Sequence, residues 1–427
     1  MEMVMRWFHY LGIVLILCAL AGTPGTTKAD EKYEPLKQFS QVMDLIERTY
    51  VREVSREELV QGAIKGMLKN LDPHSAYLDR ESFQDMQVET SGEFTGIGIE
   101  ITLMNGKLTV VSPIEDTPAY RAGLQSGDVI LEIDGESTQD ISIMDAVHKI
   151  RGPKGEAVVL TVMHPDSNRP EKIEVVRDVI PLNSIKTEIL ETGYHYLRIT
   201  NFNENTTEEL NTALKKIRNS TQGIVLDLRN NPGGLLNQAV SVTDAFLSKG
   251  QIVYTKGKVK QSRMSFSAEE AESDIGAPIV VLINSGTASA SEIVAGALQD
   301  HKRALIIGER SFGKGSVQTI IPLADGAGIK LTTARYYTPN GRSIQAEGIV
   351  PDLKVPFVPV KADEQRRPLP RLREKDLSGH LKKEQTQDAD TQLEQAEKVN
   401  RMLKQDNQLR LGLQILKGMP VIKELHS

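Results

Sequence analysis

Two short runs constrain this chain more than anything else in it: GIVLDL at residues 223–228 and PIVVLI at residues 278–283. Both are rich in β-branched residues, neither alternates apolar with polar side chains, and each leads through glycine into a helical pattern. A strand of that composition is buried on both faces, so it needs helices above and below a sheet of parallel strands. Residues 179–357 are therefore expected to form an α/β core.

A chain of 427 residues exceeds what one core of about 100–200 residues organises, and its hydrophobic period changes along its length. Over 30–88 it is helical: Leu36, Phe39, Met43, Ile46 and Tyr50 recur at three- and four-residue spacing, and Ser55 with Glu58 makes a capping-box pattern for a second helix. Over 89–178 short apolar alternations such as Leu108, Val110 and Val129, Leu131, Ile133 are broken by Gly, Pro and Asp turns, the mark of a small strand-rich domain. Residues 358–427 turn to Lys, Glu, Gln and Arg, with prolines at 368 and 370, which predicts a linker and a charged helix. Its end carries a stripe of Leu409, Leu413 and Leu416 that is expected to dock on protein rather than lie on a membrane, because the opposite face lacks a basic excess. The apolar stripes at the two ends are further expected to pair between subunits in a homodimer.

Residues 1–29 differ in kind, with Arg6, an apolar run from Leu11 to Leu20 and small residues before Asp30, as in a secretory signal. The expected location is periplasmic or otherwise exported; an uncleaved segment lengthened by Trp7 and Phe8 would instead attach the protein to the membrane. Removal of the signal takes the one cysteine, Cys18, with it, which excludes disulfides, a cysteine nucleophile and thiolate-bound zinc. With 51 basic and 57 acidic residues, the chain has no basic field for nucleic acid.

Chemistry concentrates in two segments. In NSGTASASEIVAGALQD, residues 284–300, a buried strand ends, Gly286 turns the chain, and small hydroxyl residues open a helix whose N-terminus carries partial positive charge. That is where a nucleophilic serine would sit, although on spacing alone capping by Ser or Thr is the commoner reason for such a pattern. His301 is not its base, since twelve residues along a helix rise about 18 Å. In GERSFGKGSVQ, residues 308–318, Gly308, Gly313 and Lys314 nearly spell a nucleotide-binding loop, but Gly315 stands where the magnesium-binding Ser or Thr is required. A lysine between two glycines in an apolar setting has another use, since desolvation disfavours its ammonium form and leaves an amine able to accept a serine proton; this segment alone, however, favours an ordinary solvated surface lysine.

Together, GTASASEIVAGALQDHKRA and GERSFGKGSVQ resemble the carboxy-terminal processing peptidases, or tail-specific proteases, which use a serine/lysine dyad. The family spacing of 25 residues selects Ser289 as nucleophile and Lys314 as base, and Gln318 matches the glutamine that orients the amine. For Gln318 to reach it, a turn or helix is expected after Lys314, since four residues of extended strand span about 13 Å. DLRNNPGG, residues 227–234, resembles the strip that supplies one oxyanion-hole amide, from Gly233 or Gly234, the other coming from Ala290. SPIEDTPAYRAGLQSGDVILEIDG, residues 112–135, resembles the PDZ domains of bacterial proteases, which implies that Gly96, Ile97, Gly98 and Ile99 present amides to a peptide carboxylate; as a dinucleotide fingerprint the same loop fails at Ile101. DPHSAYL near Asp72 and YYTPNGRSIQAEGIVPD from Tyr336 are further segments of this kind. The resemblance implies a Clp protease/crotonase-like α/β core with an inserted PDZ domain and helical N- and C-terminal segments. It implies no metal or organic cofactor, protein substrates with flexible apolar C-termini, and an adaptor protein as an optional partner.

Overall fold

The structure, a computed structural model, describes residues 28–114, 116–165, 167, 169–271, 275–359 and 387–425. The expected signal, but for its last two residues, and most of the expected linker lie outside the described residues. Among those described, no helix is long and apolar enough to cross a membrane.

The chain divides into two units, the first ending at Tyr77. Its described part holds helices Lys28–Thr49 and Arg56–Lys69, and Ser55 caps the second by accepting from the Glu58 amide at 3.1 Å. Leu36, Phe39 and Leu45 on the first helix are exposed within this unit.

The second unit is built on a sheet whose strand order is Ile185–Glu191, Tyr194–Ile199, Gly223–Asp227, Ile279–Ile283, Ala304–Gly308 and Leu353–Lys354. The first pair is antiparallel and all later pairs are parallel, as the two apolar runs require. Alternation along each strand now has a visible result. Ile224, Leu226, Ile279, Val281 and Ile283 face helices Thr206–Ile217, Leu236–Asp244 and Ala290–Asp300, in one core with Leu210, Val242 and Val294. Val225, Val280, Leu282 and Ile307 face the other way, onto Leu409, Leu413 and Leu416 of helix Asn407–Leu425.

That second face corrects one expectation. The C-terminal stripe does dock on protein, but on its own chain: Leu409, Leu413 and Leu416 are 1%, 4% and 1% exposed. It is used up inside the subunit and is not available to pair with the N-terminal stripe of a partner. Burying a leucine contributes about 1.5–3 kcal/mol, so this docking is part of the core's stability.

Beside the parallel sheet lies an antiparallel one, in the order Ser265–Ala268, Gly250–Gly257, Gly328–Tyr337, with Ser316–Pro322 also paired to Gly328–Tyr337. The strand-rich segment forms a separate sheet with its own core, running Ile99–Met104, Lys107–Pro113, Val129–Ile133, Ala157–Met163, Glu171–Val176, and carrying helix Ile143–Ile150. Strand Glu93–Gly96 pairs with Asp178–Pro181 where this sheet joins the rest. A further helix, Arg80–Ser91, runs three residues past the expected limit of the N-terminal helical segment, because Gly92 supplies the left-handed residue (φ 74°) that stops it.

Candidate active site

Strand Ile279–Ile283 ends at Asn284, and a short turn delivers Ser289 to the start of helix Ala290–Asp300. Asn284 fixes the turn by accepting from Gly286 N at 3.0 Å, while Thr287 Oγ1 donates to Leu228 O at 2.8 Å. Ser289 has φ 55° and ψ −114°, a combination that L-residues avoid, and it is only 7% exposed. Such strain persists only where the surroundings over-determine it. Here they do, through Glu292.

Glu292 is fully buried beneath the serine. Its carboxylate accepts from Ser289 N at 2.8 Å and Lys314 N at 2.9 Å through one oxygen, and from Ser311 Oγ at 2.5 Å and Gly313 N at 2.7 Å through the other. Four donors on one acceptor-only group fill its lone pairs. Burial raises its pKa and these four bonds oppose the rise. Glu292 thus ties the backbones of Ser289 and Lys314 together, although 25 residues separate them. The S-x-x-E spacing from Ser289 to Glu292 is a capping-box signal, so this carboxylate could have been found in the sequence.

Lys314 lies in the loop before strand Ser316–Pro322. Its pKa is lowered, first by burial and second by repulsion from Lys330, with Glu292 acting in the opposite sense. Nζ donates to Gln318 Oε1 at 3.4 Å. The expected turn or helix after Lys314 is absent: Gln318 is on the strand itself, at a register shift between Val317 and Gln318. The bulge re-aims the glutamine, and the long lysine side chain spans the remaining distance. Among the described residues, no hydrogen bond joins Lys314 Nζ to Ser289 Oγ.

Tyr336 completes this wall. It is buried, its amide donates to Gly315 O at 2.7 Å, and its phenol is pushed up to about 12 by burial while interacting with Ser289. Nothing in its spacing to Ser289 announces this neighbour. His301 ends helix Ala290–Asp300 and sits with Nε2 2.7 Å from Gln251 O, away from Ser289.

The loop 228–235 packs against the turn that carries Ser289. Asn231 O accepts from Ala288 N at 3.0 Å and Ser291 Oγ at 3.1 Å. Gly233 has φ 104°, and a Cβ there would lie 2.8 Å from Ser289 Cβ and 2.9 Å from Ala290 N. Of the two candidate glycines, Gly233 already donates its N–H to Asn231 Oδ1 at 2.9 Å. The N–H groups of Gly234 and Ala290 make no protein hydrogen bond among the described residues, and Ala290 is in the first helical turn, where amides lack an intrahelical acceptor.

The proposed tail loop lies elsewhere. Ile97 is fully buried, Ala119 N donates to Ile97 O at 2.8 Å, and Gly98 (φ 79°) is packed on Thr117. Ile99 begins the edge strand of its sheet, and a cavity of about 80 Å³ opens between Gly96, Ile97, Gly98, Ile99 and the helix residues Val147 and Ile150. An open strand edge beside an apolar helix face suits an added peptide strand.

Comparison with known proteins agrees with this layout. Residues 193–355 match the model of peptidase family S41, residues 109–163 that of the PDZ domain, and residues 21–82 that of the activating protease CtpB N-terminal domain. The chain is therefore a serine-type peptidase that carries a PDZ domain. It is 44% identical over 426 residues to the carboxy-terminal-processing protease of Bartonella bacilliformis, covering 96% of this chain and 95% of that one. It is 35% identical over 345 residues to carboxy-terminal processing protease CtpB of Bacillus subtilis, with 78% and 71% covered. A solved structure titled photosystem II D1 C-terminal processing protease is 31% identical, with 76% of this chain and 93% of that one covered and a TM-score of 0.44. The chain belongs to the carboxy-terminal processing proteases of peptidase family S41.

Proposed function

We infer that this protease is an exported endopeptidase in which Ser289 is the nucleophile and Lys314 the general base. The observation that carries the reading is the buried Glu292 carboxylate, which holds the amides of a strained serine and a desolvated lysine at once. Lys314 Nζ takes the Ser289 Oγ proton as the oxygen attacks the scissile carbonyl. The tetrahedral oxyanion is held by the amides of Ala290 and Gly234, which have no protein hydrogen bond among the described residues. Collapse breaks the C–N bond, Lys314 passes its proton to the leaving amine, and water releases the acyl group by the reverse sequence. Gln318 orients the amine, and no metal or organic cofactor enters.

Substrates are proteins with flexible, apolar carboxyl termini, bound first along strand Ile99–Met104 with the carboxylate on the loop 96–99. In the described geometry Nζ is engaged by Gln318 rather than by Ser289, so tail binding would shift a resting population toward an active one. The exposed leucines and Phe39 of the N-terminal helix supply a homodimer surface, a further role being left for an adaptor protein, and residues 1–29 direct export, periplasmic or membrane-attached.

The test is the set Ser289→Ala, Lys314→Ala and Lys314→Arg, assayed on a tailed protein and on the same protein lacking its last residues. All three variants are expected to be inactive, and the wild type should spare the truncated substrate. Turnover by Lys314→Arg would show that charge, not proton transfer, is what the site needs.

A further inference from the structure

The strip that follows strand Gly223–Asp227 is pinned at both ends, and the two anchors are of different origin. Its far end is held within the core: Phe202 N donates to Gly233 O at 3.0 Å, and Leu235 N donates to Phe202 O at 2.8 Å. Its near end is Arg229, whose guanidinium has all five donor hydrogens engaged. Nε and Nη2 donate to Asp227 at 2.9 and 2.6 Å. Nη1 and Nη2 donate to the two oxygens of Asp406 at 3.1 and 2.6 Å, and Nη1 also donates to Gln408 Oε1 at 2.8 Å.

Asp406 belongs to the C-terminal segment, outside the stretch 193–355 that matches the peptidase model. It precedes helix Asn407–Leu425 and accepts from Leu409 N at 2.9 Å, so its carboxylate caps that helix while gripping Arg229. Gln408 is fully buried and donates to Val355 O at 2.6 Å, which leaves its carbonyl oxygen aimed at the guanidinium. Between Arg229 and the nucleophile turn, the strip must hold three positive-φ residues, Asn230 (54°), Gly233 (104°) and Gly234 (144°). Two of these are glycines, which take such angles at little cost, and Asn231 is tied midway to Ile199, Ala288 and Ser291, so what Arg229 adds is the placement of the strip's near end.

We propose that Asp406, with Gln408, is a positioning residue for catalysis: through Arg229 the C-terminal helix sets the oxyanion strip against Ser289. Asp406 touches neither substrate nor the reacting atoms. Its effect is on where the strip's amide points, and a misplacement of the order of 1 Å in such a group costs up to about a hundredfold in rate. The proposal rests on the oxyanion role inferred above for Gly234 and Ala290.

The experiment uses the full chain with Asp406→Ala, Asp406→Asn, Asp406→Glu and Gln408→Ala. Active sites are counted by labelling Ser289 with a fluorophosphonate, so that turnover is expressed per competent enzyme, and folding is followed by thermal melting. Expected for Asp406→Ala is a loss in kcat of about tenfold or more per labelled site, KM within about twofold, and an equal loss in affinity for a peptide boronate that mimics the tetrahedral state. Asp406→Glu should recover part of the kcat. A merely structural role would lower the labelled fraction and the melting temperature but leave kcat per site and boronate affinity unchanged, and that result overturns the proposal. If Ser289→Ala keeps its activity, the serine reading itself fails; if Ser289 labels normally in Asp406→Ala and kcat per site is intact, only the positioning role does.

Discussion

Replacing Gly233 by alanine probes the close approach of the strip to Ser289. At φ 104° the new Cβ would fall 2.8 Å from Ser289 Cβ, 2.9 Å from Ala288 O and 2.9 Å from Ala290 N. Real Cβ atoms are not found so close to such neighbours, and two of the three are backbone atoms that cannot rotate away, so the turn that carries Ser289 must retreat. Two costs follow. The positive φ costs about 1–3 kcal/mol for a residue with a side chain, a fall in melting temperature of about 5 °C at roughly 2–4 °C per kcal/mol. The methyl also screens the Ala290 N–H and displaces Ser289, which should cost at least what losing one oxyanion donor costs, about 10²–10³ in kcat. Gly106→Ala separates the two effects, because Gly106 also has a positive φ of 76° but nothing lies within 4 Å of its Cβ position. That variant should lose stability and keep its activity. Steady-state hydrolysis of a tailed substrate, with thermal melting on both variants, makes the comparison. A Gly233→Ala enzyme that folds and turns over within about threefold of wild type would refute the assignment of this strip to the oxyanion site.

Because burial and Lys330 both disfavour the ammonium form of Lys314, kcat/KM should rise with pH through an apparent pKa below the ordinary lysine value of about 10.4. Lys330→Gln removes a repulsion, raises the Lys314 pKa and should move that limb to higher pH; a limb that stays or moves down contradicts the electrostatic account. Glu292→Gln puts an amide nitrogen against one of two donor pairs, Ser289 and Lys314 N–H or Ser311 and Gly313, so it should cost roughly 1–3 kcal/mol or more of stability, read by urea unfolding, and most of the activity. Leu413→Asp buries a charge between the C-terminal helix and Val225 and Val280, and a loss of about 3–5 kcal/mol is expected from the same assay. Polar substitution of Leu36, Phe39 and Leu45 together should convert a dimer to monomers in light scattering, and a mass that does not change removes these helices from the interface.

The parts of the fold visible in the sequence are those whose cause is local. Uninterrupted β-branched runs imposed the buried parallel strands, three- and four-residue spacing imposed the terminal helices, and Ser55 marked a helix start. What was not visible depends on approach through space. The leucine stripe at 409–416 shows which side of the helix is apolar, but not whether a partner or its own sheet covers it. Gln318 was expected after a turn because spacing alone cannot register a bulge. In the site, the family spacing points to Ser289 and Lys314, whereas Tyr336 comes to Ser289 from a strand 47 residues away with no motif linking them. Glu292 falls between these cases, since its capping-box spacing is local and only its hold on Lys314 is not.

The cover on the far side of the parallel sheet is made last. Ribosomal synthesis runs from the N-terminus, so Val225, Val280 and Ile307 exist well before the helix that shields them, Asn407–Leu425. Until then the sheet has one greasy face open, and long-range closure of this kind is slow compared with helix and hairpin formation. Maturation of this peptidase is therefore gated by its own length: a chain still on the ribosome holds Ser289 and Lys314 before it holds the helix that closes the far side of the sheet.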